Sequence, residues 1–330
     1  MERVARELAT RLPRLRPGGY RVLAPPPALA HRAGHLWEQA ALPAAARRFA
    51  LLLSPANTAP LAAPNNAVCA FDAAAVRHPE WYGRGYARWQ ATLLPRLARR
   101  ARLLVAASTF GRGELIEVLG AAPERVAVVP LGVDERFRPD ADPEPARRAH
   151  RLERPYVLAV GTRVVRKNLD VLREAEARLD ALGVDLVVAG SGRGYMRAEA
   201  EPPGRPLGYV GEEQLPGLYA GARAVVVPSR YEGFGLPCLE AMATGTPVVA
   251  AAATALPETC GGAALLADPD DPAAFADALM RLIEDERLHA ERRAAGLKRA
   301  AGFSWDRTAR ELDGVLMAQL NAAPSGGPAV

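Results

Sequence analysis

Residues 228–247 read Pro228-Ser229-Arg230-Tyr231-Glu232-Gly233-Phe234-Gly235-Leu236-Pro237-Cys238-Leu239-Glu240-Ala241-Met242-Ala243-Thr244-Gly245-Thr246-Pro247. The run Arg223 to Pro228 that leads into this stretch is apolar and β-branched, as a strand buried on both faces would be. Gly233 and Gly235 then make a flexible loop, and Pro237 suits the first position of a helix. Such a loop brings free backbone N–H groups and the positive end of a helix dipole to the carboxyl edge of a parallel sheet, where α/β folds bind ligands. Phosphate fits that place. Two carboxylates bracket the loop with seven residues between them. Glu232 accepts hydrogen bonds from one end of a ligand, and Glu240, in the first helical turn, accepts from the other. Hydroxyls are the natural donors. A sugar, a diphosphate and a ribose would meet these groups in that order, whereas each glutamate alone reads as a surface residue or a helix-dipole partner.

Outward from this stretch, short apolar runs alternate with helical patterns, the signature of βα units around a parallel sheet. In the second half the strands are Tyr156 to Gly161, Val184 to Gly190, Arg223 to Pro228, Pro247 to Ala251 and Ala263 to Leu266. Helices lie near Leu169 to Leu182, Pro237 to Thr244 and Pro272 to Glu284, which makes a doubly wound domain. First-half strand candidates are Tyr20 to Leu23, Ala50 to Ser54, Ala67 to Phe71, Arg102 to Ala107 and Arg125 to Val129. Phe137 to Pro145, with three prolines in its last seven residues, reads as a linker. The expected domains are therefore 1–150 and 151–321, the second including the final helix, followed by a disordered tail at 322–330. The first domain opens on a helix, with Val4, Leu8 and Leu12 on one face, where a doubly wound domain opens on a strand and a glycine turn.

The chain has 330 residues, 49% apolar and 24% charged, enough for two cores and unlike a disordered or fibrous chain. Cys69, Cys238 and Cys260 form no CxxC pair, which argues against a disulfide framework or a zinc site and for a cytoplasmic setting. No apolar run approaches the ~18 residues of a spanning helix, and the first residues do not lead into a signal-type stretch. Residues 1–150 carry 22 Lys and Arg against 13 Asp and Glu, while 151–330 carry 20 against 24. The basic half is either an Arg-rich solvated face or a patch for an anionic acceptor or the inner face of the plasma membrane. No nucleic acid partner is expected.

The Glu232-to-Glu240 segment closely resembles the Glu-x7-Glu motif of retaining GT-B glycosyltransferases, in particular glycosyltransferase family 4. Tyr156 to Thr162 followed by Arg166-Lys167-Asn168-Leu169 is similar to that family's strand, turn and basic diphosphate clamp. Gly208-Tyr209-Val210 before Leu215 to Tyr219, and Leu256-Pro257-Glu258 before Gly261, extend the likeness. In the first half, His78-Pro79-Glu80-Trp81, Ser108-Thr109-Phe110 and Val129 to Asp134 are similar to the acceptor domain of mannosyltransferase-like members. The resemblance implies a GT-B fold of two Rossmann-like domains facing across a cleft. It implies that Glu232 and the backbone of Gly233, Phe234, Gly235 and Leu236 hold the donor sugar and phosphates, and that Glu240 binds the ribose. Lys167 with Arg166 would neutralise the diphosphate. Many relatives carry an arginine directly after the glycine where Thr162 stands, so either Arg163 or Arg166 supplies that guanidinium. Gly190, Tyr209 and Val210 complete the implied donor site. The Gly190-Ser191-Gly192 turn is by itself a weak dinucleotide signal.

Two departures stand out. Relatives usually have a His-Asp pair facing the donor sugar, and this chain has Phe71-Asp72. His78, seven residues further on, matches a different position and reads as structural. The second departure is the missing opening strand, from which in-frame DNA upstream of Met1 is expected to encode about 10 to 20 residues with a β-rich run and a glycine turn. The implied activity is retaining, metal-independent sugar transfer from a nucleoside-diphosphate sugar, a substrate rather than a cofactor. The acceptor would be a polysaccharide or lipid-linked oligosaccharide hydroxyl. The alternatives are a nucleotide-sugar-binding or scaffold relative that has lost catalysis, and a sugar-nucleotide epimerase on the same fold.

Overall fold

The computed structural model describes residues 2–26, 34–192, 194–198 and 203–322. They form two compact units, each built on a parallel sheet. The second unit, residues 78–88 and 133–304, holds six strands. These are β5 (Tyr156–Val160), β6 (Asp185–Ala189), β7 (Arg205–Gly208), β8 (Ala224–Val227), β9 (Val248–Ala251) and β10 (Leu265–Ala267). Their order is β10-β9-β8-β5-β6-β7, the doubly wound pattern in which two wings meet between β5 and β8. Val157, Leu158, Val225 and Val249 are completely buried, because helices cover both faces of the sheet and leave no polar side to alternate with.

The first unit holds β1 (Leu52–Ser54), β2 (Asn66–Cys69), β3 (Leu103–Ala106) and β4 (Val126–Val128) in sequential parallel order. Among the described residues it is a single wing. Its core is aliphatic and alanine-rich, with Val68, Leu97, Leu104, Leu115 and Ala121 in one cluster. Against expectation, Tyr20 to Leu23 is not a strand. A strand needs a hydrogen-bonded neighbour, and none of the described strands lies beside it.

The units also divide differently from the sequence reading. The boundary falls between Gly132 and Val133 rather than near 150. The proline-rich stretch is not a free linker, since the Phe137 ring is buried edge-on to Tyr219 at 5.6 Å. The final helix, Trp305–Asn321, belongs to the first unit instead of the second. Its Asp313 accepts from the Arg16 guanidinium at 2.7 Å and from the Tyr20 hydroxyl at 2.7 Å, and Thr308 donates to the Pro130 carbonyl at 2.8 Å. Residues 78–88, early in sequence, join the second unit through backbone bonds. The Arg197 N–H donates to the Trp81 carbonyl at 2.8 Å and the Gly83 N–H to the Tyr195 carbonyl at 3.0 Å. Of the tail, residues 323–330 lie outside the described residues.

Candidate donor site of the second unit

β5 and β6 end in glycines that let two backbones touch. A Cβ on Gly190 would lie 1.9 Å from the Gly161 carbonyl oxygen, and the φ of Gly190 is +143°, so only glycine fits. A Cβ on Gly161 would stand 3.0 Å from Lys167 Cε. The chain then makes a short 3-10 turn, Val165–Lys167, closed by Asn168 in the left-handed region. The Asn168 amide donates to the Pro228 carbonyl at 3.1 Å and the Pro269 carbonyl at 2.7 Å. That fixes the basic turn to the end of β8.

Lys167 and Arg166 converge on the loop after β8. Lys167 Nζ donates to Glu232 Oε1 at 2.5 Å; Arg166 Nη1 donates to the Tyr231 carbonyl at 2.6 Å and stands 3.5 Å from Glu232 Oε2. The Thr254 hydroxyl accepts from the Glu232 N–H at 3.0 Å. Glu232 is buried, which by itself would push its pKa up. The charges of Lys167 and Arg166 and the Lys167 hydrogen bond outweigh burial, and hold the pKa down at about 2. Glu232 is thus ionised at neutral pH, tied to two cations, and unsuited to shuttle protons there.

The loop continues into the helix Leu236–Ala243, which starts one residue earlier than expected and has Pro237 in second place. Gly235 is left-handed at φ +102°, and a Cβ there would meet Leu256 Cδ2 at 2.7 Å. Phe234 is buried, its ring edge-on to Phe303 at 6.0 Å and its carbonyl accepting from the Thr259 hydroxyl at 2.5 Å. Its side chain therefore packs, and Gly233 and Leu236 adjoin it in the backbone turn. Glu240 is buried in the helix and accepts from the Tyr219 hydroxyl at 2.9 Å.

Of the other expected residues, Thr162 and Arg163 lie half-buried just past β5, and the Arg163 Nε is buried with no hydrogen-bond partner. Tyr209 is 77% exposed, whereas Val210 is a core residue. Phe71 and Asp72 lie in the first unit. Phe71 is buried with its N–H donating to Asn57 Oδ1 at 2.6 Å, and Asp72 accepts from the Ala74 N–H at 3.2 Å. The sequence reading did not assign a role to Thr254 or to the Tyr219 hydroxyl, because single residues on separate elements leave no spacing signal. His78 stacks on Trp81 at 3.9 Å between ring centroids and meets Tyr231 edge-on at 6.0 Å. That puts it beside the loop bearing Glu232. Among the described residues, no group of three or more His, Cys, Asp or Glu could hold a metal.

A family profile described as Glycosyl transferases group 1 matches residues 154–285, and one described as Glycosyltransferase Family 4 matches residues 1–137. The chain belongs to glycosyltransferase family 4. O-antigen chain mannosyltransferase B of Escherichia coli is 35% identical over 243 residues, which are 69% of this chain and 64% of that relative. D-inositol 3-phosphate glycosyltransferase of Frankia alni is 37% identical over 256 residues, covering 69% and 60%. This family member thus spans less than two thirds of the length of either relative. In fold it is similar to WaaG, a glycosyltransferase involved in lipopolysaccharide biosynthesis, with a TM-score of 0.71 at 15% identity over 99% of this chain and 96% of that one. It is also similar to Anabaena Alr3699/HepE in complex with UDP-glucose, with a TM-score of 0.69 at 20% identity over 84% and 81%.

Proposed function

We propose that the chain transfers a sugar from a nucleoside-diphosphate sugar to a hydroxyl of a polysaccharide or lipid-linked oligosaccharide, with retention of configuration and without a metal. The observation that carries this reading is the Lys167–Glu232–Arg166 cluster at the ends of β5 and β8, beside the start of the helix Leu236–Ala243. Two cations facing one carboxylate leave a net positive centre, and the helix N-terminus adds its dipole. A diphosphate is the anion suited to both. Glu232, ionised at neutral pH, accepts from sugar hydroxyls and holds the cations in place, and Glu240 accepts from the ribose. As the glycosidic bond breaks, charge grows on the departing diphosphate, where Lys167 and Arg166 stabilise it. The acceptor hydroxyl attacks from the face the leaving group vacates and passes its proton to that phosphate, so no protein base is required. The names of the relatives, a mannosyltransferase and an inositol-phosphate glycosyltransferase, and the UDP-glucose complex of a similar fold support a nucleotide-sugar donor.

A thermal-shift screen against uridine, guanosine and adenosine diphosphates and their sugars tests the donor, since a ligand selective for the native state raises the melting temperature. Transfer with the best donor, followed by the anomeric configuration of the product, tests retention. Phe71 in place of the family histidine favours a second reading, a relative that binds the donor and transfers nothing. Donor binding without turnover on any acceptor, unchanged in Phe71→His, is its signature.

A further inference from the structure

The short helix Leu215–Ala220 is joined at two points to the segment that carries Glu240. The Tyr219 hydroxyl donates to Glu240 Oε2 at 2.9 Å, and the Thr246 hydroxyl donates to the Tyr219 carbonyl at 2.8 Å. Thr246 lies just past the helix Leu236–Ala243. The neighbouring Thr244 hydroxyl, 3.2 Å from that of Thr246, donates back to the Ala241 carbonyl at 2.8 Å. Tyr219 is thus tied to this segment through both its backbone and its side chain. Tyr219, Glu240, Thr244 and Thr246 are all buried, at 5% exposure or less. The short helix is itself closely seated. A Cβ on Gly217 would lie 2.3 Å from the Asp142 carbonyl oxygen, the Tyr156 hydroxyl donates to the Leu218 carbonyl at 2.7 Å, and the Tyr219 ring packs edge-on to Phe137.

A buried phenol needs a hydrogen-bond acceptor, and a backbone carbonyl would serve. Here the acceptor is instead the side chain that the donor reading gives to the ribose. A glutamate in a helix has several rotamers within reach, and a ligand that binds through it must freeze them. The bond from Tyr219 fixes the carboxylate before any ligand arrives. A carboxylate accepts at about four sites, so one phenol orients it without exhausting it. The two bracketing glutamates are therefore held by different means, Glu232 by two cations and Glu240 by a neutral hydroxyl. We infer that Tyr219 is a positioning residue for the nucleotide: its hydroxyl holds Glu240 in the orientation that accepts from the 2′- and 3′-hydroxyls of the ribose, and so sets a preference for ribonucleotide donors. The inference rests on the donor reading above, in which Glu240 meets the ribose. Tyr219 acts through Glu240 and touches no part of the ligand itself.

Titration calorimetry on the full chain tests this with uridine, guanosine and adenosine diphosphates, and with the 2′,3′-dideoxy counterpart of whichever binds tightest. The parent should prefer the ribonucleotide by about tenfold or more. In Tyr219→Phe, which keeps the ring against Phe137 and whose folding the melting temperature checks, that preference should fall by about threefold or more. Affinity for the dideoxy analogue should stay within about twofold. In a Glu240→Ala background, Tyr219→Phe should change neither affinity, because the group it acts through is gone. A preference undiminished in Tyr219→Phe overturns the inference and leaves the donor reading standing. So does equal weakening of both analogues, since the hydroxyl then serves packing alone. A parent that binds both analogues equally removes Glu240 from the ribose, and the donor reading of that residue falls together with the inference.

Discussion

Glu232 sets the electrostatics of the donor site, and its titration is open to measurement. Its folded-state pKa of about 2 lies below the 4.5 of an ordinary glutamate. The stabilisation from its ion pairs is therefore fully present above pH 4.5 and is lost as the pH falls from there toward 2. The shift corresponds to about 3 kcal/mol as an upper figure. Glu232→Gln should be less stable than the parent at pH 7, with the difference shrinking as pH falls through that window; denaturant titrations at several pH values check it. The cations and the ribose-side carboxylate act on ligand. Lys167→Ala and Glu240→Gln should each weaken nucleotide-sugar binding by about 1.5 to 3 kcal/mol, or one to two decades by calorimetry. Lys167→Ala should also lower the melting temperature, because it leaves the buried Glu232 with one cation instead of two. Unchanged affinity in both variants, with folding intact, would remove the proposed site.

At the scale of elements, the site depends on how closely the ends of β5 and β6 approach. Gly190 lies where a methyl group would sit inside the Gly161 carbonyl, and where a left-handed φ already disfavours any other residue. Gly190→Ala should therefore cost about 3 kcal/mol or more, because the turn that carries Lys167 must move to make room. Gly192, two residues on, has open space around its Cβ direction and an ordinary φ. Gly192→Ala should stay within about 0.5 kcal/mol of the parent. Thermal unfolding of the pair separates close approach from general loop stiffening. These glycines were legible in the sequence as strand-end turns. Why Gly190 in particular cannot change was not, because the contact it makes is with a different βα turn.

The asymmetric charge is a property of the whole molecule. The surplus of Arg in residues 1–150 includes Arg96, Arg99 and Arg100, which are exposed on the helix Arg84–Arg100. No helix among the described residues is long and apolar enough to cross a membrane. If the basic half meets an anionic bilayer surface, binding is electrostatic. Co-sedimentation with vesicles containing anionic lipid should then exceed that with neutral vesicles, and should fall steeply as salt is raised from about 0.05 to 0.5 M. Equal binding to both kinds of vesicle, or none, would leave the basic half as a solvated face.

The sequence by itself determined the parallel α/β class, the second sheet strand by strand except β7, and the placing of Glu232, Lys167 and Arg166 next to strand ends. These follow from local signals: β-branched runs, glycine turns and proline at a helix start act over a few residues and survive in any context. Tertiary packing alone brought both cations onto Glu232, set Thr254 on the Glu232 N–H and the Tyr219 hydroxyl on Glu240, and put Phe234 and Val210 in the core. It also moved the final helix to the first unit and residues 78–88 to the second, and it left Tyr20 to Leu23 without a ladder. Each of these depends on a partner far away in sequence. The Arg16–Asp313 ion pair, for instance, joins residues 297 positions apart, and no periodicity along the chain records such a contact.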